Sequence, residues 1–308
     1  MRVLLGVDGS TPSIIGQHLV ESLPWPAGTT VRVVSVVVPP MAMLAVAAPG
    51  AYLSPETLVE IEEARVDHAH RVVDTARDAI AGPSVRVETA VLHGAAARAL
   101  TDDAVAWSAD LLVVGSHGHG ALGGLLLGSV SAEIVDHAPC PVLIARRPAA
   151  TKVLLAVDGS TAASQAVATL AAWRVFAAIP TVVTTVIPPL ETGGGATLPD
   201  LQVRLDIARD RLALGLRAHA EGVVGSAVDR LRAAGITATS CLLEGSPAQQ
   251  VVRLADEEHA DLIVVGTRGL TGLARLRLGS TARGVLHAAS ASVLVVPVHP
   301  LSPPEHGR

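Results

Sequence analysis

The chain has 308 residues, of which half are hydrophobic and only 2% are aromatic. This apolar content suffices for sizeable cores and excludes a wholly disordered chain, and the length suggests two domains. The few aromatic residues and the formal net charge of −5 argue against the stacking surfaces and basic patches that bind nucleic acid or acidic membranes.

The first predicted element is a buried strand at 3–7, and no signal-peptide regions precede it. A helix at about 12–22 follows, and then an apolar stretch from Val31 to Ala48 that two prolines interrupt. A membrane-spanning helix needs about 20 uninterrupted apolar residues, so we interpret this stretch as a strand at 31–38 and a loop. We therefore expect no membrane association.

The remaining elements of the first half alternate between helix and strand. Continuous apolar strands separated by helices are typical of a parallel sheet that is covered on both faces. We predict helices at about 55–80, 95–108 and 129–137, and strands at 85–92, 110–114 and 142–145.

The same pattern is then written a second time. The segment RVLLGVDGST at 2–11 returns as KVLLAVDGST at 152–161, and ADLLVVG at 109–115 returns as ADLIVVG at 260–266. A repeat of about 150 residues with matching motifs at both ends indicates two copies of one module.

We predict one module at 1–147, a second at 151–298, and a short polar tail at 299–308. Each module is expected to be an α/β Rossmann-like fold with a five-stranded parallel sheet, in the order 3-2-1-4-5, and helices on both faces. The two cysteines have no CxxC partner and predict neither a disulfide framework nor a zinc site, so a cytoplasmic location is expected. We interpret both as buried small residues.

The candidate ligand-binding motifs follow the first and fourth strands of each module. In a doubly wound sheet of this order, the ligand lies in the crevice between these strands, at their carboxyl ends. The first strands end in Asp8 and Asp158, each within an Asp-Gly-Ser turn. The fourth strands lead into loops with one shared spacing, G-x2-G-x9-G-S, formed by Gly115, Gly118, Gly128 and Ser129 in the first module and by Gly266, Gly269, Gly279 and Ser280 in the second.

This glycine spacing predicts an anion site. Glycines let backbone N–H groups approach an anion without a Cβ in the way, and the final Gly-Ser begins a helix whose amino-terminal end favours phosphate. A single glycine-rich loop is weak evidence, but two loops with identical spacing and context are a strong signal.

On these motifs the chain resembles a tandem universal stress protein of the ATP-binding branch. The resemblance implies two ATP molecules per chain and leaves open whether Mg²⁺ accompanies them. It implies that Asp8 lies near the ribose or adenine, that Val36 contacts adenine, and that Gly115 and Gly118 cradle the ribose and phosphates. Gly128, Ser129 and Val130 would hold phosphates, and the matching positions of the second module are Asp158, Val186, Gly266, Gly269, Gly279, Ser280 and Thr281.

Simpler interpretations of these residues stay open. Asp8 and Asp158 also suit a turn before a helix, and Ser129 and Ser280 also suit helix caps. His117 and His119 resemble a metal pair, but the second module lacks them, so we interpret them as solvated loop residues.

Three classes of function fit this crevice. The favoured one is an ATP-dependent stress-response regulator with an unknown protein partner; the alternative is a slow ATP hydrolase or another nucleotide-using enzyme. A flavin or dinucleotide ligand is less favoured because the first turn lacks G-x-G-x-x-G, and no nucleophile–base pair is evident, so no catalytic residue is predicted. In an interaction protein, the apolar fifth strands at 142–145 and 293–296 are candidates for pairing with another module. The resemblance implies that this edge pairs the two modules within one chain; whether two chains form a homodimer is open.

Overall fold

The computed structural model describes residues 1–39, 54–82, 84–118, 127–190, 199–267 and 278–298, apart from the side chains at 199–203 and 206. The predicted tail at 299–308 lies outside these residues. The first half contains β1 (Arg2–Gly6), α1 (Thr11–Ser22), β2 (Thr29–Val37), α2 (Pro55–Ile80), β3 (Val85–His93), α3 (Ala96–Ala106), β4 (Leu111–Gly115), α4 (Ser129–His137) and β5 (Val142–Ala145). The second half contains β6 (Val153–Ala156), α5 (Thr161–Ala172), a 3₁₀ turn (Arg174–Phe176), β7 (Thr181–Ile187), α6 (Pro199–Ala233), β8 (Ala238–Glu244), α7 (Pro247–Glu257), β9 (Leu262–Gly266), α8 (Ser280–Ala288) and β10 (Ser292–Val296).

The predicted elements are confirmed, with small differences at their ends. β2 begins two residues earlier than expected, because the buried Thr29 already pairs with β3. Helix α3 ends two residues earlier, because Ser108 adopts a positive φ of 54° that a helix cannot continue through. None of the helices in the described ranges combines the length and the apolarity that a bilayer crossing requires.

The described strands form one sheet with the order β3-β2-β1-β4-β5-β10-β9-β6-β7-β8. Each half therefore has the predicted order 3-2-1-4-5, and all pairs within a half are parallel. The two halves meet where β5 pairs antiparallel with β10. The predicted pairing of the modules through their fifth strands is confirmed.

Helices cover both faces of this sheet. Helices α1 and α2 pack on one face together with α5 and α6 of the second half, while α3, α4, α7 and α8 pack on the other. The seam strands contribute side chains to both layers, since Leu143 and Leu294 lie in one core and Ile144 and Val293 in the other. The core is therefore continuous across the seam on both faces.

The cysteines divide between buried and partly exposed positions. Cys140 is buried, as expected, and burial raises the pKa of its thiol to about 12. The expectation is wrong for Cys241, which is only half-buried because it lies on β8, the outer strand of the sheet.

A buried serine fastens the crossing between the halves, and its loss is expected to weaken the seam. The Ser292 hydroxyl is completely buried and accepts hydrogen bonds from the backbone amides of Arg146 (3.1 Å) and Arg147 (3.0 Å). Ser292→Ala leaves both amides without this acceptor, and should lower the free energy of unfolding in urea by about 1–3 kcal/mol. The control is Ser290→Ala, which removes two exposed hydrogen bonds, one donated to Asp256 and a long one (3.4 Å) accepted from the Arg147 side chain, and should change stability by only about 0.5 kcal/mol. Equal effects of the two substitutions would contradict this role.

Candidate functional site

Two clefts open at the carboxyl ends of the strands, one in each half. They lie at the predicted switch point, because β1 pairs with β4 and β6 pairs with β9. Their volumes, about 830 Å³ for the first cleft and 470 Å³ for the second, lie in the range of small-molecule sites.

The turn after β1 forms one wall of the first cleft. The Asp8 Oδ1 atom accepts hydrogen bonds from the Ser10 amide (2.9 Å) and the Ser10 hydroxyl (2.5 Å), and the Ser10 hydroxyl in turn caps α1 by accepting from the Ser13 amide. Gly9 has a φ of 77°, a conformation that favours glycine. One carboxylate oxygen therefore holds the turn, as the simpler interpretation expects.

The second carboxylate oxygen of Asp8 has a different surrounding. A Cβ atom at Gly118 would lie 2.8 Å from Asp8 Oδ2, so this oxygen faces the loop that follows β4. Asp8 therefore holds the turn through Oδ1 and directs Oδ2 toward Gly118, which lines the same cleft.

The turn after β6 repeats this arrangement in the second half. Asp158 Oδ1 accepts from the Ser160 amide at 2.9 Å, and the Ser160 hydroxyl caps α5 by accepting from the Ala163 amide. Gly159 has a φ of 79°, matching its counterpart. The two turns therefore repeat in their structure as well as in their amino-acid sequence.

The glycine that ends the fourth strand of each half allows a helix to pack closely against the strand. A Cβ atom at Gly115 would lie 2.7 Å from the backbone carbon of Pro12 in α1, and one at Gly266 would lie 2.6 Å from that of Ala162 in α5. No other residue type fits at these distances. These two glycines therefore set the position of the helix that follows the acidic turn.

The far wall of each cleft is the beginning of a short helix. Helix α4 begins after Gly128 and α8 after Gly279, and in both the cap has no side-chain hydrogen bond. The amide of Gly128 donates to the Ser116 carbonyl at 2.8 Å, and that of Gly279 donates to the Thr267 carbonyl at 2.6 Å. The first amides of such a helix have no acceptor within the helix and carry a positive partial charge, so each cleft presents an anion-binding end.

Most of the residues predicted from the sequence meet in these clefts. Gly115 lies outside the lining of the first cleft, beneath α1, and Gly269 lies outside the described residues. The first cleft is lined by Asp8, Val36, Gly118, Gly128, Ser129 and Val130, and the second by Asp158, Val186, Gly266, Gly279, Ser280 and Thr281.

Sequence reasoning missed a histidine in each cleft. His68 on α2 and His219 on α6 line the clefts and approach the positive-φ glycines Gly9 and Gly159, respectively. The offset of 151 residues that relates Gly115 to Gly266 also relates His68 to His219. A comparison of the two long helices at this offset would have revealed the pair.

The clefts differ in one side chain from the middle of each long helix. Arg65 lines the first cleft and donates from Nη1 to the Val38 carbonyl at 2.8 Å, whereas Leu216 lies in the second cleft beside Pro188. The first cleft therefore has a cationic side chain where the second has an apolar one.

The metal interpretation of the loop histidines gains no support from the geometry. Within the described part of the chain, no group of three or more His, Cys, Asp or Glu side chains is placed to hold a metal ion. His117 is half-buried, and its Nδ1 atom lies 3.0 Å from the Ser116 hydroxyl; His119 is outside the described residues.

Comparison with known proteins places both halves in one sequence family. The model described as "Universal stress protein family" matches residues 1–146 and 150–297. A universal stress protein of Mycolicibacterium smegmatis is 28% identical over 319 residues, covering 96% of each chain. A universal stress protein of Mycobacterium tuberculosis is 29% identical over 252 residues, covering 74% of this chain and 76% of its own.

Comparison with solved structures finds the same fold in a universal stress protein. The crystal structure of a universal stress protein from Archaeoglobus fulgidus aligns with a TM-score of 0.62, covering 96% of this chain and 98% of its own at 17% identity. The predicted α/β class, with a mostly parallel sheet and helices on both faces, is therefore confirmed.

Proposed function

Because this chain belongs to the universal stress protein family, we propose that it binds ATP, one molecule in each half, and acts as a nucleotide-dependent regulator of a stress response. The proposed modules are 1–147 and 151–298. In this proposal the protein is a cytoplasmic binding protein rather than an enzyme, and its output passes to a protein partner that senses whether the clefts are occupied.

One observation carries the proposal. In both halves, a cleft of ligand size is lined on one side by an Asp-Gly-Ser turn and on another by the start of a helix whose cap makes no side-chain hydrogen bond. The amides at the start of α4 and α8 suit the phosphates of a nucleotide, since they supply donors and the positive end of a helix dipole. The Ser129 and Ser280 hydroxyls add donors at the same place, and Thr281 adds one more in the second cleft.

The opposite end of each cleft suits a nucleoside. Val36 and Val186 lie near the ends of β2 and β7 and offer an apolar surface to a base. Asp8 and Asp158 accept hydrogen bonds, as the hydroxyls of a ribose require. A carboxylate beside a triphosphate also suits Mg²⁺, and we propose that the metal enters with the nucleotide when it is present.

The proposal is tested by what the purified protein carries. We expect denaturation to release an adenine nucleotide, and calorimetric titration of the emptied protein with ATP to reach two molecules per chain, with and without Mg²⁺. GTP, cAMP and FMN serve as competitors. A protein that releases nothing and does not respond to ATP would contradict the proposal, and release of a flavin would replace it.

The hydrolase alternative is separated by turnover. A binding protein should release less than about one phosphate per bound ATP during the titration, whereas an enzyme should release many. If turnover is seen, its loss in Asp8→Ala and Asp158→Ala would assign it to these clefts and overturn the assignment as a binding protein.

A further inference from the structure

The floor of the second cleft extends below Val186 to a threonine on the same strand. Thr184 lies two positions before Val186 on β7, so both side chains point to the same face of the sheet, and both line the cleft. Ala156, its partner in the register with β6, also lines this floor.

The hydroxyl of Thr184 is completely buried and has no hydrogen-bond partner within the described residues. Its neighbour Thr185 satisfies its own hydroxyl by donating to the Val157 carbonyl. An unsatisfied buried hydroxyl is costly, so a polar atom at this position of a ligand cleft calls for an explanation.

The first cleft has no hydroxyl at the matching position of its second strand, although the next residue, the buried Ser35, also lines it. The position that matches Thr184 is Val34: each pairs with the last residue of the neighbouring strand, and its carbonyl accepts from the amide of Val7 or Val157. Valine and threonine have nearly the same shape, so the two clefts differ here in one polar atom.

The two clefts also differ in the helix residue above this part of the sheet, which is Leu100 in α3 and, at the matching position of α7, Val251. A Cβ atom at Gly6 would lie only 3.1 Å from Leu100 Cδ1, which shows how closely this leucine of α3 covers the sheet. In the second half, Val251 of α7 and Ala156 of β6 line the cleft itself. Valine is one methylene shorter than leucine, and the lining of the second cleft reaches down to Ala156 and the buried Thr184.

We propose that the Thr184 hydroxyl is a base-recognising contact of the second cleft, where it forms a hydrogen bond with the nucleotide's base. The inference rests on the proposed function. A hydroxyl can donate to a ring nitrogen or accept from an exocyclic amino group, and Thr184 lines the cleft two positions before Val186, on the same face of β7. The second cleft therefore reads the base with a side chain that the first cleft lacks.

The test compares two substitutions that remove a buried hydroxyl without changing shape. Thr184→Val supplies the residue of the first cleft, and Thr169→Val is the matched control, because the Thr169 hydroxyl in α5 is equally buried and unpartnered but does not line the cleft. Both variants should raise the thermal midpoint of the nucleotide-free protein, since each removes an unsatisfied polar group.

Only Thr184→Val should weaken binding. In two-site titrations we expect one of the two dissociation constants to rise about three- to tenfold, by the same factor for ATP and for adenosine, while the other constant and the control stay unchanged. Unchanged constants in Thr184→Val would overturn the contact, as would a loss seen with ATP but not with adenosine, which would place it at the phosphates. Absence of binding by the unsubstituted protein would instead overturn the proposed function, and the contact with it.

Discussion

Replacing Gly128 with valine is expected to weaken ATP binding at one of the two proposed sites. A Cβ atom at this position would lie 2.9 Å from the Cα of His117 and 3.3 Å from the Ser116 carbonyl oxygen. Both neighbours are backbone atoms, so the new side chain must push the loop after β4 away from the start of α4. The amides that we propose as donors to the phosphates are then displaced.

The expected loss of affinity follows from the steric strain that the valine side chain introduces. Forcing a side chain into closely packed surroundings costs about 1–3 kcal/mol, which corresponds to roughly a fivefold to 150-fold weaker affinity if the strain is relieved only by moving the loop. Calorimetric titration should therefore show one intact site and one strongly weakened site. Gly279→Val is expected to do the same in the second cleft, because the Gly279 amide makes the equivalent bond to the Thr267 carbonyl.

A glycine with free space around it provides the control. Gly225 lies in α6, and a Cβ atom there meets nothing within 4 Å. Gly225→Ala should leave both sites intact and increase stability by about 0.5–1 kcal/mol, since alanine favours the helix. Two undiminished sites in Gly128→Val would show that the start of α4 does not hold the ligand.

The fold was predictable because the two halves repeat its strongest signals. Apolar runs such as 111–115 and 262–266 have the length and composition of buried strands, and the motifs around them occur twice, which fixes their order. The pairing of β5 with β10 was predicted from their apolar character together with the family resemblance. Its antiparallel direction depends on how the two sheets meet, which local sequence does not specify.

The candidate site was predictable where it depends on backbone geometry. Asp8, Gly128 and their counterparts stand at fixed distances from strand ends, so the topology alone brings them together. His68 and Thr184 were missed because their roles depend on which face of a long helix or strand meets the cleft. Val251 of α7 also lines the second cleft, and such packing of one side chain carries no motif.

Replacing Phe176 with alanine is expected to cause a large loss of stability, because it leaves a cavity in place of the largest fully buried side chain among the described residues. Phe176 ends the 3₁₀ turn after α5, and its ring stacks on Trp173 with centroids 6.2 Å apart. Phenylalanine-to-alanine substitutions in cores cost about 3–5 kcal/mol, and urea unfolding should show a loss of this size. Val105→Ala, at a residue that is 62% exposed, should change stability by only about 0.5 kcal/mol.

The same variant separates stability from binding. Phe176 does not line the second cleft, but it packs in the core with α5, the helix that Ser160 caps beside the acidic turn. If the cavity weakens the fold without altering the cleft, ATP at a hundred times its dissociation constant should restore about 2.7 kcal/mol per occupied site. Recovery of the same size in the unsubstituted protein and in Phe176→Ala would show an unaltered cleft, whereas recovery that is smaller by one site would show that this core positions the turn after β6.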